Sequence, residues 1–399
     1  MIPSVNLINK SMNFPSQTRK ISVISGSRAE YGLLRNLIRL INDDISFELN
    51  IIATGAHLSK NFGRTIDEIT SEFENVIEID ILDKSFEANG IATSVSNGVL
   101  NFSKFFKVNK PDLIILLGDR YEIFSAAIAA LFHKITIAHI HGGERSEGAY
   151  DEAFRHSITK MSHIHFVATE EYKKRVIQLG ENPDSVFNTG SLGVDNINLL
   201  TPIAKDVIED KLNFKFLDKN LLITFHPSTL DPTPQIDQLD ELLSAISSFQ
   251  DTCFIFTMSN ADTNGDQFNS KIELFCKNNK NSYFYQSLGQ ELFFSLLRIV
   301  DGIVGNSSSG IIEAPSFGIA TIDIGNRQKG RIKAESVINC DAKESSIIDA
   351  INFIYSNSFQ KKLLNLSNPY GKPGAAKKIL QILKKENFEN KLIKKFYDL

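Results

Sequence analysis

Residues 111–144, PDLIILLGDRYEIFSAAIAALFHKITIAHIHGGE, decide the fold. Asp112–Leu117 is a short apolar run with no polar alternation. Such a run is a strand buried on both faces. Gly118-Asp119-Arg120 break it, and Tyr121–Phe132 carries the apolar spacing of a helix. Ile135–His139 is a second apolar strand, closed by His141-Gly142-Gly143-Glu144. Strand, helix, strand in this order is a βαβ unit, whose strands run parallel.

The same unit recurs outward in both directions. Lys20–Ile24 is a strand, Gly26-Ser27-Arg28 a turn, and Ala29–Ile41 a helix with Leu33, Leu34, Leu37, Ile38 and Ile41 on one face. Phe47–Ala53 and His163–Val167 are further strands, and a helix lies near 63–72. After Thr201-Pro202 a second series starts, with strands at Asn220–Thr224, Cys253–Met258, Gly302–Val304 and Ala320–Ile324. Helices are expected at Asp237–Phe249 and Glu291–Arg298. The reading is an α/β protein with two doubly wound domains and a cleft between them. Residues 1–19 form a loose extension, 20–200 the first domain, 201–375 the second, and 376–399 a Lys-rich C-terminal helix packing back on the first. The lysine run itself reads as a solvated helix face.

The chain has 399 residues with 43 Lys+Arg against 47 Asp+Glu, a net charge of −4. This near balance gives no electrostatic case for nucleic acid. No apolar run reaches the 18 or so residues of a membrane span, and the first 19 residues lack the apolar centre of a signal peptide. Cys253, Cys276 and Cys340 are widely spaced and odd in number, so they make neither a disulfide framework nor a zinc cluster. Reduced thiols and a cytosolic setting follow.

Ligands of open α/β sheets bind beyond the carboxyl ends of the strands, and the chemistry-bearing residues of this chain stand there. Gly305-Asn306-Ser307-Ser308-Ser309-Gly310 offers amides and hydroxyls to an anion at a helix start; equally, it reads as a Ser-capped turn. Arg327, in the next strand-end loop, adds a cation for a phosphate or diphosphate. Neither GxxxxGK[ST] nor GxGxxG is present, which leaves P-loop and nicotinamide chemistry without support. Six of the eight histidines fall between residues 133 and 165, yet no HExxH or Cys/His ladder accompanies them, so no metal is expected. His163 and His165 read as satisfied strand residues, whereas His141 and His226 stand at strand ends where a cleft opens. Asp119, Glu144, Glu147, Asp151 and Glu152, interleaved with Arg145 and Arg155, supply the carboxylates that acid–base chemistry needs.

These residues fall into colinear motifs: Ser25-Gly26-Ser27-Arg28-Ala29-Glu30-Tyr31-Gly32, Gly118-Asp119-Arg120, His139-Ile140-His141-Gly142-Gly143-Glu144, Asp151-Glu152-Ala153-Phe154-Arg155-His156, Gly305-Asn306-Ser307-Ser308, Ile312-Glu313-Ala314-Pro315 and Gly325-Asn326-Arg327-Gln328. From about Lys20 to Leu380 the chain resembles the hydrolysing UDP-N-acetylglucosamine 2-epimerases. The resemblance implies the glycosyltransferase-B type of fold, with two Rossmann-like domains. It implies release of UDP from a UDP-2-acetamido sugar with inversion at C2, by elimination to a glycal and addition of water, without metal or nicotinamide. By position, Arg28, Ser307, Ser308 and Arg327 would hold the diphosphate, Glu313 the ribose, and Asn260 and Asp262 the nucleoside end. Asp119, Asp151, Glu152, Arg155 and His226 would line the reacting sugar. His141 stands where many members carry a glutamate, a form that resembles bacterial members serving sialic- or legionaminic-type sugars. The substrate is then UDP-N-acetylglucosamine or its 2,4-diacetamido-6-deoxy relative. A homodimer built on the first domain is also implied. The competing readings are a glycosyltransferase of the same fold and a non-catalytic nucleotide-sugar binding protein.

Overall fold

A computed structural model describes residues 18–60, 63–85, 87–147, 150–197, 199–226, 234–258, 265–286 and 288–399. Seven strands form the first sheet: β1 (Arg19–Ser25), β2 (Phe47–Thr54), β3 (Val76–Ile79), β4 (Leu113–Leu117), β5 (Thr136–Ile140), β6 (Ile164–Val167) and β7 (Val186–Asn188). Six form the second: β8 (Lys219–Thr224), β9 (Thr252–Thr257), β10 (Ser282–Tyr285), β11 (Gly302–Gly305), β12 (Ala320–Ile324) and β13 (Val337–Cys340). Every pairing among the described strands is parallel, from Ile21↔Leu113 in the first sheet to Gly305↔Thr224 in the second. The orders are β3-β2-β1-β4-β5-β6-β7 and β10-β9-β8-β11-β12-β13. Each sheet therefore reverses its winding once, between β1 and β4 and between β8 and β11. A crevice opens outside the carboxyl ends at such a switch point. The two-domain doubly wound α/β fold expected from the sequence is the fold observed.

Burial explains which strands the sequence announces. All five residues of β4, β5 and β12 are buried, as are all four of β11. Each buried aliphatic side chain contributes roughly 1.5–3 kcal/mol. The four strands absent from the sequence reading, β3, β7, β10 and β13, are the four sheet edges. Their residues are mostly half-buried or exposed. With one side open they need no continuous apolar run, so their signal is weak.

The C-terminal segment crosses back to the first sheet. In the helix Ala375–Lys385, Ala375, Ala376, Ile379 and Leu383 join the core that holds Leu34, Leu37 and Ile41. Both helix ends are secured by the first half. The Asp195 carboxylate accepts the first-turn amides of Gly374, Ala375 (3.1 Å) and Ala376 (3.0 Å), a negative group at a helix start. The Arg19 guanidinium donates to the carbonyls of Leu383 and Glu386 at 3.0 and 2.9 Å. It also stacks on the rings of Phe47 and Phe388.

Arg19, assigned above to a loose extension, is the first residue of β1. The C-terminal helix expected over 376–399 ends at Lys385, because Glu386 turns to extended backbone and Phe388 is buried. The Asn387 side chain then accepts the Glu389 and Asn390 amides and starts a short 3-10 turn. Lys394, expected to be solvated, donates to buried Glu181 at 2.7 Å.

Candidate active site

The residues singled out in the sequence follow strands, so the parallel sheets deliver them to one edge each. Arg28 follows β1, Asp119 follows β4 and His141 follows β5 on the first sheet. His226 follows β8, Ser307 and Ser308 follow β11, and Arg327 follows β12 on the second. Asn260 and Asp262 lie outside the described residues, as does the extension up to residue 17.

On the first sheet the charged side chains form one network. Arg155, on the inward face of the helix Asp151–Met161, is almost fully buried. Its guanidinium donates to the Asp119 carboxylate, to Ser146 Oγ at 2.9 Å and to the His141 carbonyl at 3.1 Å. Asp119 keeps about a fifth of its side chain in contact with solvent, at 21%. It is thus a cleft carboxylate oriented from behind by a buried cation. Glu152, on the same helix as Arg155, is engaged at both oxygens: the Ser146 amide donates to Oε2, and His156 Nε2 lies 3.1 Å from Oε1. Burial raises its carboxyl, but His156 and the Ser146 amide outweigh that and leave it lowered. Asp151 opens the same helix and is half-buried.

His141 differs from expectation. Its backbone lies in the left-handed region, φ 65°, which costs a non-glycine residue free energy. This turns the imidazole back into the protein rather than into the cleft, with 8% of the side chain exposed. Nδ1 lies 3.0 Å from Glu144 Oε1, and the Leu192 amide donates to Nε2 at 3.4 Å. With the Leu192 amide at Nε2, Nδ1 is the ring nitrogen that faces Glu144. Glu144 is itself 1% exposed. Burial alone would raise its carboxyl, but His141, Arg331 and Arg155 together hold it down to about 2. Arg331 reaches it from the second half at 3.4 Å.

A second buried carboxyl pair lies under the Gly26 loop. Glu30 Oε2 accepts the Gly26 amide at 2.6 Å, and burial pushes its carboxyl up to about 8. Glu122 is fully buried and paired at 2.9 Å with Arg120, whose side chain remains 40% exposed at the strand end. Arg28 pairs with Glu68 at 3.0 Å and stands near Gly289 of the second half.

The second sheet builds its edge mainly from neutral groups, with Arg327 as a cation. Gly305 has φ 136°, and a Cβ there would meet the Thr224 carbonyl at 2.0 Å, so only glycine lets β11 close on β8. Asn306 then clamps the neighbouring strand end: His226 N–H donates to its Oδ1 at 2.7 Å, and its Nδ2 donates to the His226 carbonyl at 2.8 Å. The Asn306 carbonyl accepts from Arg327 at 3.1 Å and from Gln328 at 2.8 Å. Ser307 caps the short helix Ser308–Ile312 by accepting the Ser309 amide at 3.4 Å. Ser307, Ser308 and Arg327 are half-buried and stand just past the ends of two adjacent strands, β11 and β12. His226, expected in the open cleft, is buried; burial first, and then the Arg327 charge, hold its imidazole down to about 3.

Glu313 stands where the halves meet. A Cβ on Gly193 of the first half would lie 2.1 Å from Glu313 Oε1. Burial pushes this carboxyl up to about 8, and Oε2 has no hydrogen-bond partner among the described residues. Also among the described residues, no group of three or more His, Cys, Asp or Glu is arranged to hold a metal, and no helix is long and apolar enough to cross a membrane.

The structure thus joins Asp119, Arg155 and His141 through Glu144, and joins His226 with Arg327 through Asn306, while Ser307 caps the helix that follows. Glu144, Asn306 and Gln328 lie inside the motifs quoted above and were legible there. Glu122 and Arg331 are lone charges outside every motif.

With this geometry in place, a model of the family described as UDP-N-acetylglucosamine 2-epimerase matches residues 39–384. The chain is 44% identical over 384 residues to the polysialic acid biosynthesis protein P7 of Escherichia coli, covering 96% of this chain and 98% of that one. It is 41% identical to the GDP/UDP-N,N'-diacetylbacillosamine 2-epimerase (hydrolyzing) of Campylobacter jejuni, covering 96% and 99%. The crystal structure of UDP-GlcNAc 2-epimerase from Neisseria meningitidis bound to UDP-GlcNAc shares the fold with a TM-score of 0.78 and 20% identity, covering 92% of this chain and 100% of that one.

Proposed function

This chain belongs to the UDP-N-acetylglucosamine 2-epimerase family, and we propose that within it the chain is a hydrolysing 2-epimerase. Its substrate is a nucleoside-diphosphate 2-acetamido sugar, UDP-N-acetylglucosamine or the 2,4-diacetamido-6-deoxy analogue, and its products are UDP and the free 2-epimer. The observation that carries this reading is Asp119: a solvent-reaching carboxylate at the switch point of one sheet, fixed by buried Arg155, while the corresponding strand ends of the other sheet carry Ser307, Ser308 and Arg327. The hydrolysing relative supports the subtype.

In the proposed reaction the diphosphate rests on Ser307, Ser308, Arg327 and Arg28, and the ribose meets the unpartnered oxygen of Glu313. The first-sheet carboxylates, Asp119 foremost and Asp151 beside it, take the proton from C2. The C2–H electrons form the C1=C2 bond as the C1–O bond to the diphosphate breaks. Charge then develops on the diphosphate, where fixed donors and Arg327 favour the transition state. Water adds its oxygen to C1 while C2 is protonated from the opposite face. Glu152 holds the Ser146 loop, and His141 holds Glu144.

The remaining readings are a cytosolic setting, supported by three free thiols, and a homodimer on the first domain. Leu100, Val108 and Phe132, exposed by 54%, 80% and 73%, support an interface on the helices Ala88–Val108 and Tyr121–Phe132. Light scattering checks the dimer.

The experiment is incubation with UDP-N-acetylglucosamine, with the diacetamido analogue and with its GDP-linked form, followed by chromatography of nucleotide and sugar. Free nucleoside diphosphate and a free 2-epimer from one of them are expected. A sugar epimerised with its nucleotide still attached, or no turnover of any, contradicts the reading.

A further inference from the structure

Arg331 belongs to the second half, yet its guanidinium lies 3.4 Å from Glu144 of the first. Glu144 Oε2 is in turn 3.8 Å from Arg155, and Arg155 donates to Asp119. The four side chains alternate in sign, from Arg331 through Glu144 and Arg155 to Asp119. The first three are largely buried, so water screens them little.

The backbone that carries Arg331 is docked on the first half. A Cβ on Gly330 would lie 2.8 Å from Glu147 Oε1. The Ile332 amide donates to Tyr172 Oη of the first half at 3.4 Å, and Tyr172 Oη lies 3.0 Å from the Tyr370 hydroxyl, which donates to the Ile332 carbonyl from within the second half at 2.9 Å. Arg327, at the other end of the same loop, is tied to Asn306 at the proposed diphosphate site. One loop thus touches the anion-holding edge at Arg327 and the acid–base network at Arg331.

We infer that Arg331 is a positioning residue that couples the seating of the second-half loop to the orientation of Asp119, acting through Glu144 and Arg155 without touching substrate. The inference rests on the proposed 2-epimerase reading. With Arg331 in place, Glu144 is shared between two arginines and leaves Arg155 to hold Asp119. Without it, Arg155 is drawn toward Glu144 and Asp119 is released.

The groups facing Glu144 are His141, Arg155, Arg331, Tyr172, Tyr370 and Glu313. Removing one cation from this set favours protonated carboxyls, so activity needs a higher pH. An opposite charge within about 4–6 Å is worth roughly 1–3 pH units to a carboxylate.

The test compares Arg331→Gln and Arg331→Lys with the unchanged protein. Arg331→Gln is expected to lower kcat about 10-fold or more, to move the acid limb of the kcat profile upward by about one pH unit, and to leave UDP affinity within about 3-fold. Arg331→Lys keeps the charge and is expected to recover most of kcat and the original limb. The proton chemical shifts of the His141 imidazole, which lies 3.0 Å from Glu144, are expected to move, free of substrate, in Arg331→Gln alone. A fall in UDP affinity that matches the fall in kcat makes Arg331 a diphosphate ligand and overturns the inference. An unmoved pH profile and unmoved imidazole resonances overturn it as well. Absence of turnover in the unchanged protein overturns the 2-epimerase reading instead, and the imidazole resonances still decide the coupling.

Discussion

The carboxyl edges of the two sheets use the same topology for different chemistry. The first-sheet edge is a lattice of opposite charges: Asp119 with Arg155, Glu144 with Arg331, Glu122 with Arg120. The second-sheet edge is built mainly on amides and hydroxyls, with Asn306 clamping His226 and Arg327 as its cation. A charged lattice sets which carboxyls are ionised and where they point, as proton transfer requires. A neutral cradle with one cation suits a diphosphate, whose own charge supplies the attraction. One winding pattern thus yields a charged edge and a largely neutral one, and in the proposed reaction the substrate spans both.

The largest effect expected from this division is on rate. Asp119→Asn keeps the shape and removes the proposed base, so kcat should fall by about 10²–10⁴ while UDP affinity, measured by calorimetry, stays unchanged. Equal losses in both would break the division. Next in size is binding. Ser308→Ala with Arg327→Ala should weaken UDP by about 2–4 kcal/mol, from charged hydrogen bonds of about 1.5–3 kcal/mol each. A folded double variant that binds UDP normally places the diphosphate elsewhere.

The smallest effect is on stability, and it concerns the carboxyl beneath the acid–base edge. Burial raises Glu30 from 4.5 to about 8. Its contribution to folding is therefore complete below the unfolded value and is lost as pH rises through the folded one. Glu30→Gln still accepts the Gly26 amide and has no charge to bury. It should raise the melting temperature by a few degrees at about pH 9 and change it little at about pH 4. The same gain at both pH values would remove the ionisation argument.

Much of this was legible in the chain. Central strands such as β4 and β11 announce themselves because both faces are buried, whereas β3, β7, β10 and β13 need no apolar run at an open edge. Asp119, Ser307 and Arg327 were legible because each follows a buried strand and a glycine turn. The inward aim of His141 was not, because it depends on the sign of one backbone angle. Arg331 and Asp195 were invisible for another reason. Their partners, Glu144 and the amides of Ala375 and Ala376, are brought together only by the tertiary fold.

The most direct measurement of the central claim is turnover in D2O, with UDP release and deuterium at C2 counted on the same sample. If the first-sheet edge removes the C2 proton while the second-sheet edge releases the diphosphate, each UDP released is accompanied by one deuterium at C2 of the free 2-epimer. Release of UDP with the original hydrogen retained at C2 contradicts the account.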